Sequence, residues 1–553
     1  MSRLRKLRGE PALLALLFAL SVAPFVARPI HLDEPVFLET AMQITRHPLD
    51  FYGFEMNWTA TVQPVHEFMM NPPLASYLLA AAAFFVGWSG TALHISFALV
   101  ALSAVLGTYL LASRLCTRPM LAALALLWAP GFLVSSTLLM SDIVCVALWV
   151  WALIAWERGL RDGAGGFLLV AALLAGLAGL AEYFGIALLP LLALYALART
   201  RRIGPWLPAL LVPVALLVGF HFLSQHLYGT GLFVRAGDFS SLLVSENSTS
   251  SGPPERLLIG LSFLGGCAAS TLFLAPSLLS RRGILVWAAV GSALVALAIV
   301  VFAPASIAVQ VGLWSTVGIG VLALAIDDLR SERSPDSLLL VAWVIGTFVF
   351  AAFLYWSVNA RSILPLLPAS SILLARRLDR HLARGTAVER PFALAAGLAA
   401  SALLALGVAS ADTALARSAQ SAAHGFVRER IAAGERVWFL GHWGFQYYAE
   451  PLGAVPIDKH RSVLEQGDLV VVPLNNTHAW KLPPRFFKTE LGVDLGVPSL
   501  ISTMNMLSGA GFHSAEFGPL PFAFGPAQSE IYVQLRAKST YRFAHAEAAR
   551  PDF

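Results

Sequence analysis

The sequence predicts a polytopic α-helical membrane protein with a C-terminal α/β soluble domain, and three observations carry that prediction. Of its 553 residues, 57% are apolar and only 13% are charged, against roughly 25% charged in an ordinary globular chain. Long apolar stretches, parted by short Arg-rich or Gly/Pro-containing joints, run from residue 11 to about residue 410, and a helix needs roughly 20 such residues to cross a bilayer core. Residues 411–553 then mix charges, turns and short apolar segments such as Val437–Leu440 and Leu469–Val472, enough chain for one soluble core. A mean hydropathy of +0.70 excludes a disordered chain. A net charge of +5 without a basic cluster gives no ground for a nucleic-acid partner.

Full spans are read at 11–27, 93–113, 119–139, 142–157, 164–181, 183–198, 206–226, 257–278, 283–301, 304–325, 337–356, 360–376 and 391–410, about 13 in all. The basic start, Arg3, Arg5, Lys6 and Arg8, precedes an apolar run that lacks a small-x-small cleavage site, so it is an uncleaved first span rather than a secretory signal. Arg114, Arg118, Arg158, Arg161, Arg199, Arg201, Arg202, Arg281, Arg282, Arg330, Arg333, Arg376, Arg377, Arg380, Arg384 and Arg390 fall in joints on the side of that start. The opposite joints hold Arg28, Arg46, Arg235, Arg256 and Arg361, so the positive-inside bias places the N-terminus in the cytoplasm. Pro73–Gly87 would invert this pattern as a full crossing and is read as a short interfacial or re-entrant helix. The odd count puts the domain 411–553 outside the cytoplasm, after a membrane domain 1–410 with a large outer loop at 28–72 and a second outer loop at 227–256. Cys116, Cys145 and Cys267, in or beside apolar helices, provide neither a disulfide framework nor metal-ligand spacing.

Chemistry is expected where the first loop meets the outer helix ends, because loops on a fixed scaffold commonly carry function. Asp33-Glu34 follows the first span by a few residues, where a carboxylate is costly unless it faces a cavity. Asp142 lies between two apolar segments on the same side. Its competing reading, shared with Asp33, is a helix N-cap. Asn71-Pro72-Pro73 closes the first loop, Glu182-Tyr183 interrupts two apolar segments at an outer turn, and Arg361 stands at a third. A guanidinium fork matches phosphate oxygens, which makes Arg361 the candidate phosphate clamp. Arg361 can instead snorkel to lipid head groups. His66, Glu67 and His226 are weak candidates for a divalent metal, since no fixed ligand spacing joins them. In the soluble domain, Gly441-His442-Trp443-Gly444 directly follows a strand-like segment. Its His442 and Trp443 read either as acceptor-side binding residues or as aromatic core.

With His31-Leu32-Asp33-Glu34-Pro35, Asn71-Pro72-Pro73-Leu74, Met140-Ser141-Asp142 and Asn359-Ala360-Arg361-Ser362-Ile363-Leu364-Pro365 assembled, residues 1–410 resemble the integral-membrane type C glycosyltransferases. Within these, the likeness is to the branch holding aminoarabinose transferases and protein O-mannosyltransferases. The resemblance implies transfer of a sugar from a polyprenyl-phosphate-linked donor to a lipid, glycan or protein acceptor at the periplasmic face of a bacterial inner membrane. It matches Asp33 and Asp142 to the family's two acidic residues, implying catalytic roles, and Arg361 to its late arginine, implying phosphate binding; Glu34, Asn71, Glu182 and Tyr183 are substrate- or phosphate-binding candidates from their own placement. The resemblance leaves a divalent metal open. Asn71 stands where aminoarabinose transferases carry a basic residue, and Glu182 where many relatives carry Lys. The alternatives from other classes are a transporter or flippase for a polyprenyl-linked sugar, and a non-catalytic envelope-assembly protein.

Overall fold

The computed structural model describes residues 2–250, 252–383, 391–496, 499–526 and 529–543. Arg384 and Arg390 of the basic joints lie outside the described residues. The protein is a multi-pass membrane protein, mostly helical, with a strand-rich C-terminal region.

Among the described residues, eight helices are long and apolar enough to cross a membrane, or nine if a bent pair counts as one. The expected thirteen full spans are therefore not reached, and the reason is local. The segment 119–139 breaks into Pro119–Leu127 and Pro130–Ser135. Pro130 lacks an amide hydrogen and disfavours helical geometry at the preceding residue, and Ala129 is accordingly extended. The segment 257–278 divides into Pro253–Cys267 and Ser270–Leu278, bent by 78°. The segment 360–376 starts as a single turn, Ala360–Ile363, passes through a 3-10 turn at Leu364–Leu366 and only then becomes the helix Leu367–Ala383. Gly9–Phe25 and Gly165–Ala181 are apolar but short. The Pro73–Gly87 run forms the 13-residue helix Leu74–Val86, about 20 Å long and short of a bilayer core.

The second outer loop also differs from expectation. Residues 232–250 form a 19-residue helix, Leu232–Ser250. Its Phe233 and Phe239 meet the rings of Tyr183 and Trp356. Close helix packing relies on small residues: a Cβ at Gly265 would stand 1.9 Å from the Trp314 carbonyl oxygen, so the helices Pro253–Cys267 and Ala305–Glu332 meet backbone to backbone.

Residues 410 and 411 both lie inside the helix Pro391–Ala422, which continues through a π-turn to Ala432. Beyond it, a five-stranded mixed sheet has the order Val455–Pro456, Val437–Phe439, Leu469–Pro473, Ile531–Ala537, Phe487–Asp494. The first three strands run parallel and the last two pair antiparallel. Val437–Phe439 and Leu469–Pro473 are wholly buried, as their continuous apolar runs require. Phe512 and Ala515 of the following segment bond back to the turn before Arg361, through Ala360 N to Phe512 O at 2.9 Å and Ala515 N to Val358 O at 3.1 Å.

Candidate active site

Breaks in helices supply the polar groups of one large cavity. Asp33 precedes the helix Glu34–Arg46, but its side chain makes no capping bond. Asp142 is the second residue of the helix Ser141–Asp162, whose N-cap is Met140. Neither carboxylate is thus used as a helix cap. Glu182 ends the helix Gly165–Ala181 in extended geometry, which turns its side chain out of the helical path. Arg361 sits in the turn Ala360–Ile363, fixed by a capping box in which Asn359 Oδ1 accepts from Ser362 N at 2.7 Å and Asn359 N donates to Ser362 Oγ at 3.2 Å.

These residues line a cavity of about 1170 Å³ that holds Asp33, Asn71, Asp142, Glu182, Tyr183 and Arg361 together. Arg361 Nη1 lies 3.2 Å from Asp33 Oδ2. Glu182 Oε1 accepts from Asn71 Nδ2 at 2.8 Å and from Ser141 Oγ at 2.5 Å. Burial first, and the neighbouring Asp142 carboxylate second, push the Glu182 carboxyl up to about 8. Asp142 Oδ2 and the Tyr183 hydroxyl are buried with no hydrogen-bond partner, which leaves both free to meet a bound molecule. Arg361 is the one Lys or Arg among the described lining residues, against the acidic side chains of Asp33, Asp142, Glu182 and Asp238.

Other candidates lie elsewhere. Glu34 does not line the cavity. The helix start turns it inward, where it is fully buried: Oε2 accepts from His31 N at 2.8 Å, Oε1 accepts from Leu139 N at 2.9 Å, and His94 Nε2 is 3.5 Å away. Its role in substrate binding is therefore replaced by a structural one. His442 and Trp443 are buried in the C-terminal region and do not reach the cavity either. His66 stacks on Tyr228 with ring centroids 4.8 Å apart, the Glu67 backbone carbonyl accepts from Arg235 at 2.8 Å, and His226 is exposed. Among the described residues, no group of three or more His, Cys, Asp or Glu side chains is placed to hold a metal ion. In the cavity Asp33 and Glu182 are already engaged by Arg361, Asn71 and Ser141. A metal is not established at this site, and no step below is routed through one.

Sequence reasoning missed the wall made by the helix Leu232–Ser250, which brings Phe233, Asp238 and Ser241 to the cavity. Trp356 lines the cavity beside Tyr355. The signal for that wall was present in the clustered Leu232, Phe233, Val234 and Phe239 of the second outer loop.

Residues 70–228 match the family described as dolichyl-phosphate-mannose-protein mannosyltransferase. The membrane-glycosyltransferase resemblance carried by the motifs agrees with that match. The matched stretch holds Asn71, Asp142, Glu182 and Tyr183, while Asp33 and Arg361 lie on either side of it. No curated protein matches the chain. Among solved structures, ArnT from Cupriavidus metallidurans bound to undecaprenyl phosphate is similar at 15% identity, covering 84% of this chain and 92% of that one, with a TM-score of 0.42. The Archaeoglobus fulgidus oligosaccharyltransferase in complex with Zn and sulfate is 16% identical over 81% of this chain and 62% of its own, with a TM-score of 0.47. The arabinofuranosyltransferase AftD from Mycobacteria is 14% identical over 97% of this chain and 40% of its own, with a TM-score of 0.45.

Proposed function

We propose that this protein is a membrane glycosyltransferase that moves a sugar from a polyprenyl-phosphate-linked donor to a hydroxyl- or amine-bearing lipid, glycan or protein acceptor. The single observation that carries the reading is the meeting of Asp33, Asp142 and Arg361 in one cavity, although they lie in three distant parts of the chain. The matched family is named for dolichyl-phosphate-mannose, a sugar held on a polyprenyl phosphate, which supports the donor class.

The chemistry follows from the side chains. Arg361 meets the donor phosphate and stabilises the negative charge that gathers on it as the bond from anomeric carbon to phosphate oxygen breaks. Asp33 accepts the proton of the attacking hydroxyl or amine as the new bond to the anomeric carbon forms. Asp142, with an unpartnered oxygen in the cavity, orients the acceptor. Asn71 and Ser141 hold the Glu182 carboxyl beside it. A single displacement of this kind inverts the anomeric configuration. The reading includes the membrane placement drawn from the arginines: a bacterial inner membrane, a cytoplasmic N-terminus, and residues 411–553 as a domain on the outer face.

The test is Asp33→Asn in cells that express the full chain, followed by mass spectrometry of lipid-linked sugars. The expected result is normal membrane insertion with accumulation of one lipid-linked sugar, which identifies the donor. Unchanged turnover with an intact donor supply overturns the role of Asp33.

A further inference from the structure

Asp33 follows a residue in unusual geometry. Leu32 has φ +53° and is buried, a left-handed conformation that bulky L residues rarely adopt without support. Among the described residues, the non-glycine positions with positive φ are Leu32, Ala60, Arg201, Arg333, Trp443 and His478. Four of these, Leu32, Ala60, Trp443 and His478, gather around the Gly441–Gly444 turn of the C-terminal region. Trp443 packs with Leu32, Phe517 and Met504 in one apolar cluster, with Trp58 at its edge. The ring of Trp443 meets that of His31 at 5.6 Å, and the ring of His442 meets those of Trp58 at 5.5 Å and His478 at 5.1 Å. Strain concentrated in one contact is maintained only where the surroundings over-determine it, and such places are commonly functional.

Two segments of the membrane part are gripped at this contact. The first is Ile30–Leu32. Ile30 N donates to the Tyr448 hydroxyl at 2.9 Å, and Gly444 N donates to His31 Nδ1 at 3.3 Å. A Cβ at Gly444 would stand 2.4 Å from the Ile30 carbonyl oxygen and 2.8 Å from His31 Nδ1, so only glycine permits this approach.

The second segment is the tip of the hairpin formed by Glu55–Asn57 and Val62–Pro64. Ala60 N donates to His442 Nε2 at 3.2 Å, Lys459 N to Ala60 O at 2.9 Å and Val62 N to Asp458 Oδ2 at 3.0 Å. Asn57 Nδ2 donates to Ile457 O at 3.1 Å, and Gln446 Nε2 to Asn57 O at 2.8 Å. Burial lowers His31 to about 4 and His442 to about 3, so both rings are neutral and able to accept these bonds. That tip carries Trp58, which lines the same cavity as Asp33.

We infer that the His442–Gly444 turn is a positioning element of the active centre: by seating on Ile30–Leu32 and on the hairpin tip, it holds Leu32 and Ala60 left-handed and thereby aims Asp33 and Trp58 into the cavity. None of the residues of the turn touches the cavity, and they act through the two segments they clamp. The C-terminal region is on this view a structural half of the catalytic site rather than an appended acceptor-binding module. The inference rests on the proposed role of Asp33.

The test uses the purified full chain with two probes. One is the lipid-linked sugar that accumulates in Asp33→Asn cells, for turnover. The other is undecaprenyl phosphate, for affinity at the phosphate side. Gly444→Ala inserts a methyl into the contact and is expected to lower kcat about 10-fold while leaving undecaprenyl phosphate affinity within about twofold. Tyr448→Phe removes one hydrogen bond without changing shape. It is expected to lower kcat ~3-fold with the same split, and it decides the matter if Gly444→Ala does not fold. Gly492→Ala, on an exposed strand with nothing within 4 Å of its added methyl, serves as the neutral control. Wild-type kcat in the folded variants overturns the inference, as does an equal loss of kcat and of undecaprenyl phosphate affinity. Turnover that survives Asp33→Asn instead overturns the role of Asp33 on which the inference rests.

Discussion

The Glu34 carboxylate accepts a hydrogen bond from the backbone amide of Leu139 at 2.9 Å, across 105 positions of sequence. It ties the stretch that bears Asp33 to the turn that leads into Ser141 and Asp142. The two acidic candidates are therefore held in register by their buried neighbour, not by each other. Glu34→Gln keeps the shape but presents an amide in place of one carboxylate oxygen, so one of the two buried backbone donors, His31 N or Leu139 N, loses its acceptor. The expected loss of stability is about 1–3 kcal/mol, read from thermal unfolding in detergent. An unchanged melting temperature would remove the register role.

Arg361 and Asp33 form an ion pair in a partly open setting, with 19% and 38% of their side chains exposed. On the proposed reading, the donor phosphate meets the Arg361 guanidinium beside this carboxylate. Arg361→Ala is expected to lower kcat/KM for the lipid-linked sugar by ~10²-fold or more. Arg361→Lys keeps the charge but not the fork, and a loss of ~10-fold is expected. Steady-state kinetics check both, and equal activity of Lys and Ala variants would separate Arg361 from phosphate binding.

Polar residues that interrupt apolar runs were legible in the sequence because hydrophobic surroundings make them conspicuous. Asp33, Asn71, Asp142, Glu182 and Arg361 all stand out in this way, and the structure gathers them. Glu34 was not separable from Asp33 by sequence, since one position on a helix start turns a side chain from the cavity into the interior. The span count failed where prolines and paired glycines break or bend helices without changing hydropathy. The Gly441–Gly444 turn was visible as a motif, but its contact with Leu32 and Ala60 joins residues some 400 positions apart and leaves no local signature.

Arg28, Asp412 and His513 make a second long-range knot, fully out of water. Arg28 Nη2 meets Asp412 Oδ2 at 3.0 Å, His513 Nε2 meets Asp412 Oδ1 at 3.0 Å, and Arg28 Nη1 donates to Thr137 Oγ1 at 2.9 Å. Removing one member strands a buried charge. Asp412→Ala is expected to destabilise the protein by about 3–5 kcal/mol, whereas Arg28→Met combined with Asp412→Leu recovers much of that loss. A double-mutant cycle on thermal unfolding measures the difference. Equal damage from the single and double changes would mean that packing, not charge, dominates there.

Glu182 makes stability depend on pH in a direction that can be worked out. Its carboxyl titrates near about 4.3 in an unfolded chain, but burial and Asp142 push it up to about 8 in the native protein. Between those values the native state keeps a proton that the unfolded state has lost, so this group's contribution to stability is complete below the lower value. It declines as pH rises and is gone above the upper one, by up to about 1.4 kcal/mol for each pH unit crossed. Glu182→Gln does not titrate, and its side-chain oxygen can still accept from Asn71 Nδ2 and Ser141 Oγ. Its melting temperature should therefore gain on that of the wild type from pH 5 to pH 8 and hold a constant lead above. Melting curves that stay parallel over the whole window would mean that Glu182 is ionised in the folded protein, with its charge balanced by Arg361 instead of by a bound proton.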